Sequence, residues 1–396
     1  MTNQDASRAA PLAEAGRHFL LRPDVTFLNH GSFGACPAPV FETYQRWQRE
    51  LEAEPVEFLG RRIRSLLEEA RAPLAGYLGV ERDDLVFVPN ATHGVNIVAR
   101  SLQKRLRPGD EVLGTDHEYG AVERTWRFLT EQVGAIYRSQ PVGLPARSPA
   151  EIVEQVWAGV TERTRILVVS HITSPTALIL PVQELIRRAR ERGIITVVDG
   201  AHAPGHIPLA LDDLGADFYS GNCHKWLCAP KGSGFLHARP ERQEMLDPLI
   251  VSWGWRSRDP GVSPFQDYFE WTGTHDPAAY LSVPAAIQFQ AEHDWPAVRD
   301  ACHALVDEAQ RRIGELTGLA PISPDGPEWW GQMRAIPLPK SESVTVEGLK
   351  ARLWDEYQIE IPIHDHGDHR LIRLSIQAYN SPADIDRLVE ALAAVL

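Results

Sequence analysis

No stretch of this sequence is apolar for the ~18 consecutive residues that a membrane span needs, and no internal repeat or low-complexity segment breaks it up. Basic residues are in the minority: 40 Lys and Arg face 53 Asp and Glu, a net charge of −13. That balance argues against a nucleic-acid binder, which presents a basic patch or stripe, while leaving room for a local cationic pocket. Only four cysteines occur, Cys36, Cys223, Cys228 and Cys302, without the spacing of a disulfide framework. A chain of 396 residues buries enough core to do without one, so reduced thiols are expected. Met1 to Arg8 are polar and mixed and lack the basic start and apolar run of a secretory signal. A cytoplasmic location is therefore expected, with neither membrane nor nucleic acid as a partner.

What the chain does have is a rhythm of short apolar runs and amphipathic segments. Leu85–Val88, Glu111–Gly114, Ala135–Tyr137, Ile166–Val169, Ile194–Val198, a run at Phe218-Tyr219 and Phe235–His237 read as strands. Helices are predicted over Val40–Glu54, Arg61–Leu78, Val122–Gln132, 150–160 and 182–192. Such alternation predicts an α/β fold, a mostly parallel sheet covered by helices. Ahead of it, Val25 to Leu28 reads as a short strand leading into a Gly/Ser turn at Asn29–Gly34. Between 240 and 277 the pattern loosens into Trp/Gly/Pro-rich loops of the kind that carry function. A long helical segment then runs from Tyr280 to Leu316, broken near Trp295-Pro296. Shorter units follow: strands Met333–Leu338, Ile359–Ile363 and Leu371–Ile376, and helices 347–357 and Ser381–Leu396. They read as a smaller α+β domain, which gives a large domain over 25–280 and a small one over 281–396.

The polar residues that look chosen for chemistry sit at strand ends. The run to Val198 ends on Asp199, followed by Gly200-Ala201-His202, and Phe218-Tyr219 leads into Ser220-Gly221-Asn222-Cys223-His224-Lys225-Trp226. An acid after one strand and a lysine after the next are where an open α/β sheet presents them to a ligand. The pair suits pyridoxal phosphate, with Lys225 as Schiff base and Asp199 on the pyridinium nitrogen. Between the strand at Leu85–Val88 and the helix after it lie Asn90-Ala91-Thr92-His93, a hydroxyl and small residues that make a natural anion cradle. The plainer reading is an ordinary N-cap.

Asp199-Gly200-Ala201-His202, His224-Lys225-Trp226 with Pro230-Lys231-Gly232, Thr272-Gly273-Thr274, and Arg373-Leu374-Ser375 through Tyr379-Asn380 resemble the class V aminotransferases, fold-type I pyridoxal phosphate enzymes. Within that class the sequence is similar to the isopenicillin N epimerase-like group in Leu28–Gly34, Asn90–Asn96, Asp116–Val122 and His171–Thr176. The resemblance implies a large domain around a seven-stranded, mostly parallel sheet, a small domain assembled from both termini, and a homodimer whose active sites lie at the subunit interface.

It also implies roles. Lys225 holds the cofactor and moves the proton. Asp199 keeps the ring nitrogen protonated, and His202 contacts the phenolic oxygen. Ala91, Thr92 and His93 hold the phosphate, with Asn222 and His224 approaching it; Asn222 departs from the serine of the cysteine-desulfurase pattern. Thr274 reaches across from the other subunit. His117 and Tyr119 share the loop that covers the ring, and Tyr119 is preferred because Glu118 takes the other aligned position. Arg373, a charge inside the apolar run Leu371–Leu374, clamps the substrate carboxylate, with Asn29 and Ser32 beside it.

The expected reaction is proton chemistry at the α-carbon of an amino acid, through a Schiff base and a carbanion. Epimerisation is one outcome; β-elimination by a C–S lyase and transamination are the alternatives. Cysteine desulfurases need a mobile Cys in the C-terminal half, and Ser323–Met333 has none. Ile363-His364-Asp365-His366-Gly367-Asp368-His369 carries three His and two Asp, yet their spacing fits no compact zinc or EF-hand pattern. It is read as a polar turn, and no metal is predicted.

Overall fold

The computed structural model describes residues 3–340 and 344–396; Met1 and Thr2 of the polar lead lie outside the described residues. Seven strands build the large sheet: β1 (Leu85–Val88), β2 (Glu111–Thr115), β3 (Ile136–Gln140), β4 (Thr164–Ser170), β5 (Ile195–Gly200), β6 (Phe218–Asn222) and β7 (Gly234–Ala238). They lie in the order β1-β7-β6-β5-β4-β2-β3, with β2 to β6 parallel and β7 antiparallel to both its neighbours. The fold is α/β with a seven-stranded, mostly parallel sheet, as expected. Successive residues of a strand point to opposite faces. Phe87, Leu167, Val169 and Val198 accordingly pack into one core, and Val86, Ile166, Val168 and Val197 into a second. Burial on both faces is why these strands read as unbroken apolar runs.

A smaller antiparallel sheet has the order β9-β10-β8, from β8 (Met333–Leu338), β9 (Ile363–His366) and β10 (His369–Ser375). Its Met333, Ile336, Ile372 and Leu374 share one apolar core with Trp226 and Leu227, so the small sheet backs onto the lysine loop. The N-terminal segment is tied to the same layer. Thr26–Phe27 pairs in parallel with Ile359–Glu360, Asn29 bridges Ser375, and the helix Asn3–Gly16 packs on the helix Trp295–Thr317.

Three local expectations change. The predicted Gly/Ser turn holds one helical turn, His30–Phe33. The loose region 240–277 contains the helices Pro240–Gln243 and Pro264–Glu270. The strand expected over Ile359–Ile363 is two strands with different partners, split at Pro362, which has no N–H to give a ladder. The helix break near Trp295 is present, at Asp294 in a left-handed conformation.

Gly34 marks a tight junction of this framework, between the N-terminal segment and the lysine loop. Its φ is +70°, and a Cβ there would stand 1.9 Å from the carbonyl oxygen of His224. Gly34→Ala should destabilise the protein by about 2 kcal/mol or more, combining left-handed strain with overpacking against backbone. Urea denaturation checks this; a midpoint unchanged from the parent would show that the segment yields.

Candidate active site

The parallel strands deliver their polar residues at one edge of the sheet. Ser170, Asp199 and Ser220 are register partners on β4, β5 and β6, with Ser170 and Asp199 at the C-terminal ends of their strands. Asp199 is buried and receives one side-chain hydrogen bond, from the Ala201 N–H at 2.9 Å. Burial pushes its carboxyl above the ordinary value, against the pull of that N–H and of Lys225. A buried acid so sparsely paired fits a cationic N–H partner such as a pyridinium.

Lys225 leaves the loop after β6 with Nζ 3.2 Å from His202 Nε2. The indole of Trp226 donates to His202 Nδ1 at 3.2 Å. An indole N–H is only ever a donor, so Nδ1 is the acceptor and the His202 proton resides on Nε2, facing the lysine. Burial, followed by the charges of Lys225 and Arg373, holds His202 well below the usual imidazole range, hence neutral. Lys225 is pushed down to about 7, first by desolvation and then by Arg373, with Asp199 opposing. A neutral amine accepting from a neutral imidazole is consistent with both shifts, and it is the nucleophilic form of lysine.

Two further imidazoles, which sequence reasoning missed, hold this pair in place. His30 lies 3.0 Å from the Lys225 carbonyl through Nε2 and 3.0 Å from the Tyr379 hydroxyl through Nδ1. His206 stacks on Trp226 with centroids 4.1 Å apart, contacts the His202 carbonyl through Nδ1, and accepts the Gln332 N–H at 2.7 Å. Burial drives both down to about 3, so neither competes for charge.

The anion cradle has a definite donor count. At the start of the helix Ala91–Gln103, Asn90 is the N-cap and accepts from His93 N–H, and Asn222 Oδ1 accepts from Ala91 N–H at 2.8 Å. Among the described residues Thr92 is left with an unpaired N–H and hydroxyl, and Asn222 with its amide N–H groups. A cleft lined by Asn90, Thr92, His93, Asn96 and Arg100 opens there. Free donors, a cation and a helix N-terminus suit a phosphate. His224 Nδ1 is engaged with the Ser233 carbonyl.

On the small-sheet side, Arg373 Nη1 donates to Ser174 O and Oγ at 2.7 and 3.0 Å, and Nη2 to Ser32 Oγ at 3.1 Å. Ser32 in turn donates to Asn29 Oδ1, and Asn29 to Glu360. Arg373 Nε is buried without a partner among the described residues. Burial lowers the guanidinium to about 10, with Tyr119 the nearby group that pushes it back up. An oriented arginine with an orphaned Nε–H is ready to take a carboxylate.

The two candidates for the ring cover differ sharply. His117 is fully buried, with its nitrogens 2.7 Å from Thr176 Oγ1 and 2.9 Å from Val142 O. Tyr119 is 47% exposed. Between them Glu118, to which no role was assigned from sequence, is buried and accepts from Thr115 and Ser170 at 2.6 Å each. Desolvation and the nearby Asp199 push it up to about 7, against those two hydroxyls. Thr274 lies exposed on the loop before Asp276 and makes no side-chain hydrogen bond among the described residues.

These are the sheet and the donor set of a pyridoxal phosphate enzyme of fold type I. The family model for class-V aminotransferases matches residues 34–388, and the chain belongs to that family, a pyridoxal phosphate-dependent group of enzymes. It is 39% identical to isopenicillin N epimerase of Amycolatopsis lactamdurans, over 97% of this chain and 98% of that protein. It is 30% identical to a protein of Oryza sativa subsp. japonica named putative L-cysteine desulfhydrase 1, over 93% of this chain and 82% of that one. The structure of the cysteine desulfurase CsdA from Escherichia coli shares the fold at a TM-score of 0.81 and 23% identity, covering 97% of this chain and 98% of that one.

The lowered lysine has a measurable consequence. The rate at which the cofactor-free protein takes up pyridoxal phosphate should rise with pH and level off above about 7, where the amine is neutral. Arg373→Gln removes a neighbouring positive charge and should move that inflection upward. An inflection near the ordinary lysine value of 10.5 in the parent protein would overturn the assignment.

Proposed function

We propose that the protein epimerises the α-carbon of an amino-acid substrate, with Arg373 holding the carboxylate and Lys225 removing the α-proton. Pyridoxal phosphate, when bound, supplies the sink for the electron pair left on that carbon. In this scheme Asp199 would keep the ring nitrogen protonated, His202 Nε2–H would donate toward the phenolic oxygen, and Thr92 with Ala91, His93, Asn222 and His224 would surround the phosphate. Tyr119, close enough to Arg373 for its charge to be felt there, would cover the ring, and its hydroxyl is the proposed second proton carrier.

The observation that carries this reading is the orphaned Nε–H of Arg373, fixed by Ser174 and Ser32, together with a neutral Lys225. Sulfur chemistry on the protein itself is disfavoured by the thiols. Cys223, Cys228 and Cys302 are buried with their pKa values raised by desolvation, and Cys36 is pushed up to about 12. A thiolate nucleophile is thus hard to form. Release of a thiol from the substrate's β-carbon is the second reading, motivated by the relative named as a desulfhydrase. A homodimer, with Thr274 completing the partner's site, is part of the proposal; Phe33 and Trp253, 72% and 84% exposed, are large apolar side chains of the kind such contacts cover. The cytoplasm is the proposed location.

Purified protein given pyridoxal phosphate should absorb near ~420 nm, and Lys225→Ala should abolish that band. Incubation with amino acids in deuterated water separates the outcomes: α-deuterium exchange with inversion and no pyruvate supports epimerisation. Pyruvate with released thiol would replace it by β-elimination. Arg373→Leu should lower kcat/KM ~100-fold or more, mostly through KM. Tyr119→Phe should keep exchange while losing inversion; retained inversion would remove the tyrosine hydroxyl from the scheme.

A further inference from the structure

The hairpin of β9 and β10 brings a histidine from the end of the chain onto the loop that follows β2. His366 Nε2 stands 3.4 Å from His117 Nε2, and Asp116 Oδ1 lies 3.6 Å from the same His117 atom. All three potential ligand atoms fall within 4.8 Å of one another. In a tetrahedral zinc site with bonds of about 2.0–2.2 Å, neighbouring ligand atoms are roughly 3.3–3.6 Å apart. Two edges of the set already have that length. We propose that Asp116, His117 and His366 form a binding site for a divalent transition ion of the zinc type, with water as the fourth ligand.

The surroundings support the donor set. Asp116 is oriented by the Val142 N–H, which donates to Oδ1 at 2.9 Å, and its side chain is 42% exposed, leaving the open position to solvent. His117 has the outer partner that a ligating imidazole needs. In the metal-free protein Nε2–H donates to Val142 O, and Thr176 Oγ1 lies 2.7 Å from Nδ1. On binding, the ring proton shifts to Nδ1, where Thr176 accepts it, the Thr173–Thr176 hydroxyl pair reorienting to suit. No net proton is released from that ring, and Val142 O gives up its donor. Two imidazoles and one carboxylate favour zinc, nickel or copper over magnesium or calcium.

The histidines of Ile363–His369 have no metal-ligand spacing among themselves, and only folding adds Asp116 and His117 from a loop 249 residues away. The site joins the large-sheet loop that carries Tyr119 to the small-sheet hairpin that leads into Arg373. A bound ion would fasten one to the other across the mouth of the proposed active site.

Zinc chloride titrated into the holoprotein by calorimetry, with cobalt(II) absorption as a second readout, tests the site. One equivalent should bind and raise the thermal midpoint. His366→Ala and Asp116→Asn should each weaken binding at least ~10-fold, the loss that even an outer-shell partner causes, and His369→Ala should leave it unchanged. Should His366→Ala fail to fold, the partly exposed Asp116→Asn decides alone. Absence of saturable binding, or equal binding in the parent and Asp116→Asn, would overturn the proposal.

Discussion

The hydrogen bond from the Trp226 indole to His202 Nδ1 is the constraint on which the rest of the site depends. A neutral imidazole can carry its proton on either nitrogen, and the two choices have opposite consequences for the lysine. With Nδ1 occupied by a donor, the proton must face Lys225, which can then accept only as a free amine. The reactive state of the lysine is therefore set by the residue next to it in sequence, through a histidine from a different strand end. Charge cooperates: Arg373 and desolvation both disfavour a second cation at Lys225, and neither His30 nor His206 supplies one.

Packing keeps that geometry in register. Trp226 packs against the rings of both His30 and His206, and the His30 side chain ties the lysine backbone to Tyr379 in the C-terminal part of the chain. The small sheet contributes its apolar face to the same core. Arg373 is oriented the same way, by Ser174 from a large-sheet loop and Ser32 from the N-terminal segment. The amine and the guanidinium are thus positioned by elements that share one core. The spacing of base and carboxylate clamp therefore depends on loops that this packing holds in place.

The sheet was legible because burial on both faces leaves continuous apolar runs, and Asp199 and Lys225 because they end such runs. Arg373 stood out for a related reason, as a charge inside the apolar strand Leu371–Leu374. What could not be read are the contacts between distant segments. His30 supports Lys225 from 195 residues away, and Glu118 is enclosed by Thr115 and by Ser170 from another strand. Both lie in stretches that carry the family resemblance, Leu28–Gly34 and Asp116–Val122, but nothing local to them shows the distant partner each one engages. Pro362 is a visible signal of the split: a residue without an N–H in a presumed strand is grounds for dividing it.

The pairing of Thr26–Phe27 with Ile359–Glu360, and of Asn29 with Ser375, joins segments that a ribosome produces at opposite ends of its work. The anion cradle, Asp199 and Lys225 are all made by the time the large sheet is complete. The carboxylate clamp and its N-terminal brace meet only after β10 has emerged. Until then His30 also lacks Tyr379, and the lysine loop lacks the small sheet on which it packs. The reactive lysine stays without a positioned amino acid until almost the whole polypeptide has been synthesised.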